Sequence, residues 1–211
     1  MDPDTRLLIF ARAPDPGRCK TRLASSLGDA GAAMLHARLV RHTVQVFSGQ
    51  DICQTELWCA PDTDHPFFQQ LHECYQIPLY PQHHGDLGLK MARAAEQRLQ
   101  QYSRVIITGT DCPLLDPRHL VNIVDDLRHG FKASIIPAED GGYVMLGLQS
   151  FHPQLFASIP WGSAQVMDQT AARLDTLGWQ WKRHQALWDI DREEDYQRLL
   201  SHDPGTPCLL G

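Results

Sequence analysis

The sequence has no long apolar run and no surplus of positive charge. The 211 residues are 43% hydrophobic, yet no apolar stretch approaches the roughly 20 residues of a membrane-spanning helix. Residues 7–11, the first such stretch, are too few for the apolar core of a signal peptide. A formal net charge of -6 also argues against a nucleic-acid-binding domain, which is usually basic. We therefore expect a cytoplasmic protein that binds neither membranes nor nucleic acids.

The sequence also lacks any C-x-x-C pair. Its six cysteines are scattered along the chain: Cys19, Cys53, Cys59, Cys74, Cys112 and Cys208. This spacing matches neither a zinc ribbon nor a dense disulfide framework. We expect free thiols.

Short β-rich runs alternate with helical patterns along the chain. This alternation predicts a three-layer, Rossmann-like α/β/α fold, in which helices cover both faces of a mostly parallel sheet. The predicted strands are residues 6–11, 55–60, 77–80, 104–108, 133–136 and 143–148. The predicted helices are residues 29–47, 87–102, 117–129 and 163–178. The length suits one domain over residues 1–211, with 201–211 as a loose tail.

The loop after the first predicted strand is rich in cations. They are Arg12, Arg18, Lys20 and Arg22. Such loops lie at the carboxyl edge of an α/β sheet, where ligands bind, and these side chains suit a phosphate chain. The loop is not a P-loop, because Cys19 precedes Lys20 and the glycine-rich cradle is missing. Gly17 permits a tight turn. The alternative interpretation is a solvated basic turn.

A single carboxylate, Asp111, follows the buried strand predicted at residues 104–108. Mg²⁺ and Mn²⁺ sites commonly use one or two protein carboxylates together with phosphate oxygens, which favours Asp111 as a metal ligand. The alternative is a turn aspartate that accepts backbone hydrogen bonds.

Two acidic stretches lie nearer the C-terminus. Asp140-Gly141-Gly142 separates two predicted strands, and Asp-Gly favours a hairpin. The glycines would also let a ligand approach the backbone, so hairpin and ligand site are compatible. Asp191 is the predicted N-cap of a last helix, with Glu194 as its capping-box partner, which explains Asp191 without a metal.

Together these motifs resemble a bacterial family. They are Ala-Arg-Ala-Pro-x-Pro-Gly-x-x-Lys-Thr-Arg-Leu at 11–23, Gly-x-Asp-Cys-Pro at 109–113, Asp-Gly-Gly-Tyr at 140–143 and Asp-Ile-Asp-x-x-x-Asp at 189–195. The set resembles the radical-SAM/selenodomain-associated transferases, which are glycosyltransferase-like and have the nucleotide-diphospho-sugar transferase (GT-A) fold. More distantly it is similar to phospholactate guanylyltransferases and to molybdenum-cofactor guanylyl- and cytidylyltransferases. The resemblance spans residues 6–200.

The resemblance implies a transferase that uses a nucleotide donor and Mg²⁺ or Mn²⁺. It assigns nucleotide binding to Ala11, Arg12, Gly17, Lys20, Arg22, Gly85 and Asp86. It assigns catalysis to Lys20, Arg22 and Asp111, and the metal to Asp111 and Asp191. It assigns the small-molecule acceptor to Asp140, Gly141, Gly142, Trp161 and Ser163. The family has Ser-Thr after this tryptophan, whereas this chain has Gly162-Ser163; Ser163 could instead cap the next helix.

Two reactions stay open from the sequence. Asp111 is followed by Pro113 instead of the second aspartate of Asp-x-Asp, which favours nucleotidyl transfer from a nucleoside triphosphate to a small phosphorylated acceptor. The family description favours glycosyl transfer from a nucleotide sugar. A non-catalytic nucleotide-binding protein is the third possibility. The donor base, the acceptor and the oligomeric state are not determined by these residues.

Overall fold

Strands and helices alternate along the chain in the computed structural model, which describes residues 1–201. The strands are β1 (Asp2–Arg12), β2 (Cys53–Ala60), β3 (Leu79–Pro81), β4 (Arg104–Thr108), β5 (Ala133–Pro137), β6 (Tyr143–Leu148) and β7 (Trp181–Arg183). The helices are α1 (Ala24–Phe47), α2 (Pro66–Tyr75), α3 (Leu87–Leu99), α4 (Pro117–Arg128), α5 (Val166–Thr176) and α6 (Glu193–Ser201). Within these residues, no helix combines the length and apolar character needed to cross a membrane.

The strands form one sheet in the order β3-β2-β1-β4-β6-β5-β7. β6 runs antiparallel to β4 and β5, and the other neighbouring strands are parallel. β6 is reversed because a short turn joins it directly to β5. The predicted mostly parallel sheet is therefore confirmed.

Two apolar cores separate the sheet from its helices. Along β1 the side chains alternate, so Leu7 and Ile9 pack against α1, α2 and α4, whereas Leu8 and Phe10 pack against α3 and α5. A third cluster joins α6 to α1 through Leu199, Leu35 and Leu39. The predicted three-layer α/β/α architecture is confirmed.

Several element boundaries differ from the predictions. α1 begins at Ala24 instead of residue 29, with a break at Gly28, and α3 ends at Leu99. α5 begins at Val166, three residues after Ser163. Two elements were not predicted: helix α2, although its buried residues Phe67, Phe68 and Leu71 recur at helical spacing, and strand β7, which has only three residues. Residues 202–211 of the predicted tail lie outside the described residues.

Side-chain caps were predicted at the N-termini of α4 and α6, and only the first of them is confirmed. Asp116-Pro117 predicts a capped helix start, and this cap of α4 is confirmed, since Asp116 accepts hydrogen bonds from the backbone N–H groups of Arg118 and His119. The cap predicted for α6 is wrong. Asp195, not Glu194, supplies the carboxylate, and it accepts hydrogen bonds from the backbone N–H of Asp191 and of the following residue. The Asp191 side chain is thereby free to pair elsewhere.

Candidate active site

A cleft of about 670 Å³ lies at the carboxyl edge of β1 and β4. Its walls come from the loop after β1, the segment after β3, the loop after β4, the β5–β6 turn and the segment before α6. Most of the predicted site residues line it: Ala11, Arg12, Lys20, Arg22, Gly85, Asp86, Asp111, Asp140, Gly142, Trp161, Ser163 and Asp191. The fold thus brings together residues that are up to 180 positions apart in the sequence.

Two predicted site residues, Gly17 and Gly141, are not in the wall of this cleft. Gly17 has a φ of 73° and forms the turn of the basic loop beside Asp29. Gly141 has a φ of 91°, and a Cβ there would lie 2.2 Å from the carbonyl oxygen of Ala164. Its own carbonyl accepts a hydrogen bond from Met167 of α5. Both glycines shape loops instead of facing the cleft.

Lys20 forms an ion pair inside the cleft. Its Nζ lies 2.9 Å from Asp111 Oδ1 and also donates to the carbonyl oxygen of Ile190. The Lys20 side chain is only 4% exposed, so the ammonium group is held against these partners. The backbone of Lys20 has a φ of 49°, a left-handed conformation that is costly outside glycine and often found at functional sites.

Arg22 pairs with the carboxylate of Asp191 on the same side of the cleft. The aspartate predicted to bind a metal is therefore engaged by a cation of the basic loop. More than half of the Arg22 side chain is exposed, so the guanidinium can also reach a ligand.

Three carboxylates, those of Asp111, Asp140 and Asp189, line the cleft, and Asp189 was not predicted as a site residue. The pKa of Asp189 is raised to about 7, chiefly by burial and also by the nearby Asp140 and Asp111 carboxylates, against the opposing effect of Lys20. In the sequence, Asp189 is part of the Asp-Ile-Asp motif at 189–191. Ile190, between the two aspartates, is fully buried. The spacing alone could not show which of the two aspartates faces the other carboxylates.

His36 of α1 is a second cleft residue that sequence reasoning missed. Its Nε2 lies 3.0 Å from the carbonyl oxygen of Arg12, and because a carbonyl only accepts, Nε2 carries the proton. Burial lowers the pKa of His36, which favours the neutral ring. Nδ1, 4.0 Å from Asp111 Oδ1, has no hydrogen bond from the described residues. A lone histidine within a long helix carries no sequence signal for this position.

The opposite wall is aromatic. Trp161 stacks on Phe156 with ring centroids 6.4 Å apart and meets Tyr143 edge to face. It packs against Gly88 of α3, where a Cβ would lie 2.0 Å from the indole nitrogen. Ser163 accepts a hydrogen bond from the backbone of Gln165 just before α5.

The segment after β3 supplies two further polar residues to the wall. Asp86 caps α3 by accepting a hydrogen bond from Leu89 N, at 2.8 Å. Gln82, which the sequence analysis did not single out, donates its side-chain amide to Ala11 and Trp58.

Residues 43–163 match the family described as "Uncharacterized protein conserved in bacteria" (DUF2064). This region is more than half of the chain and includes Asp111, Asp140 and Trp161. The chain belongs to the DUF2064 family. The narrower predicted likeness to radical-SAM-associated transferases and guanylyltransferases stays a prediction. No curated protein matches the sequence.

The fold of the DUF2064 chain is similar to those of several solved structures. A protein from Desulfovibrio desulfuricans G20, provisionally described as a nucleotide-diphospho-sugar transferase, is 27% identical with a TM-score of 0.86, over 99% of this chain and 94% of that one. A cytidylyltransferase from Leptospira borgpetersenii is 14% identical with a TM-score of 0.62, over 93% and 85%. A 4-diphosphocytidyl-2C-methyl-D-erythritol synthase from Anaerococcus prevotii is 11% identical with a TM-score of 0.56, over 95% and 99%. The DUF2064 chain therefore has the fold of these transferases.

Proposed function

We propose that the protein is a metal-dependent transferase that uses a nucleotide donor, and that it transfers a nucleotidyl group from a nucleoside triphosphate to a small phosphorylated acceptor. One observation carries the proposal. The cations of the loop after β1 meet the carboxylates Asp111 and Asp189 in a single cleft at the carboxyl edge of the sheet. This is the edge at which α/β folds bind nucleotides.

The basic loop would hold the phosphate chain of the donor. Lys20 and Arg22 both line the cleft, and guanidinium and ammonium groups suit phosphate oxygens. In such a reaction the protein mainly positions the groups and stabilises the charge that develops on the phosphates. Lys20 would leave Asp111 in order to contact the leaving phosphates.

The carboxylates fit a divalent cation. Burial beside Asp140 and Asp111 disfavours the charged form of Asp189, and a bound cation would relieve that repulsion. Among residues 1–201 no three His, Cys, Asp or Glu side chains form a ready-made metal cluster. Two carboxylates, Asp111 and Asp189, would therefore hold Mg²⁺ or Mn²⁺ with the donor phosphates completing its shell. The metal would neutralise charge on the phosphate oxygens.

Asp189 replaces Asp191 in this proposal as the second metal ligand. Asp191 forms an ion pair with Arg22, whereas Asp189 is in electrostatic contact with both Asp111 and Asp140. The acceptor would occupy the wall formed by Trp161, Ser163 and Gly142.

Glycosyl transfer from a nucleotide sugar is the second candidate. The description of the 27% identical Desulfovibrio protein favours it. The two reactions differ in their products, because nucleotidyl transfer releases pyrophosphate and glycosyl transfer releases a nucleoside diphosphate. A protein that only binds nucleotides would release neither.

The proposal is tested with nucleoside triphosphates and nucleotide sugars, each with and without Mg²⁺. We expect a metal-dependent rise in the melting temperature with at least one donor, since a ligand at about a hundred times its Kd stabilises by ~2.7 kcal/mol. That donor is then incubated with phosphorylated and unphosphorylated acceptors, and pyrophosphate and nucleoside diphosphate are quantified.

The variant Asp111→Asn tests the site. It is expected to lose the metal-dependent shift and to lower turnover about 100-fold or more, because it removes a charge at the reacting phosphates. Asp4→Asn is the matched control, since Asp4 is exposed at the opposite end of β1. Unchanged binding and turnover in Asp111→Asn would contradict the proposed site.

A further inference from the structure

The side chain of Gln82 is held in one orientation at the end of the cleft nearest β2. Gln82 directly follows β3, and its backbone N–H donates to the carbonyl of Cys59. Its side-chain Nε2 donates to the carbonyl of Ala11, at 3.1 Å, and to that of Trp58, at 2.9 Å. Gln82 thus ties the segment after β3 to both β1 and β2.

This geometry determines which amide atom faces a ligand. Both partners of Nε2 are carbonyl oxygens, which only accept hydrogen bonds, so the amide cannot be turned round without placing oxygen against oxygen. The two N–H groups are therefore used within the protein. No hydrogen bond from the described residues reaches Oε1, and Oε1 is not among the buried polar atoms that lack a partner. Oε1 is the open atom of this amide, and it can only accept.

The position of Gln82 relative to the charged groups indicates which part of a nucleotide lies beside it. Lys20 and Asp111 meet after β4, on one side of β1, whereas Gln82 lies over β1 and β2, on the other side. The phosphates belong at the cationic end. The uncharged end of the nucleotide, its base, would then face Gln82, where small residues, Ala60 and Gly85, also line the cleft.

We infer that Gln82 makes the cleft selective for nucleotides whose base carries an exocyclic amino group, through a hydrogen bond from that amine to Oε1. This inference rests on the proposed function, because it requires that the cleft bind a nucleotide. Cytosine, adenine and guanine carry such an amine, which projects from the ring and donates hydrogen bonds. Uracil and thymine present a carbonyl oxygen where cytosine has its amine, and hypoxanthine presents one where adenine has its amine. At C2, where guanine has its amine, hypoxanthine has only a hydrogen atom. Where a carbonyl replaces the amine, two acceptors would face each other, and neither would be satisfied.

Nucleotides that differ in one group test the inference without any variant. Isothermal titration calorimetry gives the Kd of three pairs of nucleotides. CTP and UTP exchange an amine for a carbonyl on a pyrimidine, ATP and ITP do the same at C6 of a purine, and GTP and ITP differ only in the amine at C2. Whether the cleft binds pyrimidine or purine nucleotides, the nucleotide that carries the amine is expected to have a Kd at least about tenfold lower than its counterpart. An unmet hydrogen bond in a binding site is costly.

The variant Gln82→Met assigns the selectivity to this residue. Methionine is similar to glutamine in size but lacks the amide. In this variant the nucleotides with and without the amine are expected to have equal Kd values. Gln101→Met is the control, because Gln101 is exposed after α3 and outside the cleft wall. Gln82→Ala is measured in parallel, in case the longer side chain disturbs the fold.

The outcomes separate this inference from the proposed function. If nucleotides bind but those with and without the amine have equal Kd values in the wild type, the inference is overturned and the proposed function stands. Selectivity that persists in both Gln82 variants also overturns it. If no nucleotide binds at all, the proposed function fails together with the inference. Selectivity that is lost only in the Gln82 variants supports both.

Discussion

At the scale of single residues, the ion pair between Lys20 and Asp111 brings a cation and a carboxylate together inside the cleft. Asp111 Oδ1 lies 2.9 Å from Lys20 Nζ, and the backbone of Lys20 has a left-handed conformation. The residue type alone indicated affinity for phosphate. The tertiary structure shows that the ammonium group is paired with a carboxylate.

Asp189 was not predicted as a site residue, and in our proposal it takes the place of Asp191 as a metal ligand. Its titration can be tested. Its pKa is raised from the ordinary 3.8 to about 7, chiefly by burial. Between about pH 4 and 7 the unfolded chain has released this proton and the folded protein has not. The free energy of unfolding attributable to this group therefore falls as the pH rises through that range.

Asp189→Asn should accordingly stabilise the protein more at pH 8 than at pH 5, because asparagine resembles the protonated carboxyl group and the wild-type protein loses stability between about pH 4 and 7. Urea unfolding of both proteins at the two pH values measures this difference. Asp4→Asn, at an exposed position outside the cleft, is the control. A stability difference for Asp189→Asn that is equal at pH 5 and pH 8 would contradict the raised pKa.

At the scale of elements, the β5–β6 turn connects the sheet to α5. The hairpin was predicted from Asp140-Gly141, and the antiparallel pairing of β5 and β6 confirms it. The sequence did not show that Gly141 presses against Ala164, because that contact joins two segments more than 20 residues apart. The positive φ could be anticipated from Asp-Gly, but the close approach could not.

Gly141→Ala should destabilise the protein more than Gly130→Ala. Both glycines have a positive φ, 91° and 96°, which costs an alanine about 1–2 kcal/mol. A Cβ at position 130 meets open space, whereas one at 141 would lie 2.2 Å from the Ala164 carbonyl oxygen, which adds roughly 1–3 kcal/mol of overpacking. Urea unfolding followed by tryptophan fluorescence gives both free energies. Equal losses in the two variants would show that α5 moves away at little cost.

At the scale of the whole molecule, the segment before α6 completes the cleft. Lys20 donates to the carbonyl of Ile190, and Arg22 pairs with Asp191, so the last part of the described chain meets the first loop. The cluster of Leu199, Trp188 and Ile190 against α1 holds this segment in place. The carboxylates at 189 and 191 are positioned by this packing.

Leu199→Ala should therefore cost about 2–5 kcal/mol, the usual range for a buried leucine. Leu199 is 1% exposed, whereas its neighbour Leu200 is 45% exposed and offers a control in the same helix. Leu200→Ala is expected to change the free energy of unfolding by no more than about 0.5 kcal/mol. Chemical denaturation of the two variants compares them directly, and equal values would mean that α6 contributes little to the core.

The sequence by itself determined the α/β class, strands β4 and β6 to the residue, the cap of α4 and the basic loop, since each depends on neighbouring residues. It also indicated Asp111, because a carboxylate just after a buried strand must lie at an edge of the sheet. Only the tertiary structure decided the strand order, the place of β6 between β4 and β5, and the partners of Lys20 and Arg22. It alone brought Asp189, His36 and Gln82 into the cleft. Their roles depend on contacts between distant segments, and such contacts form only when the whole sheet and its helices have packed.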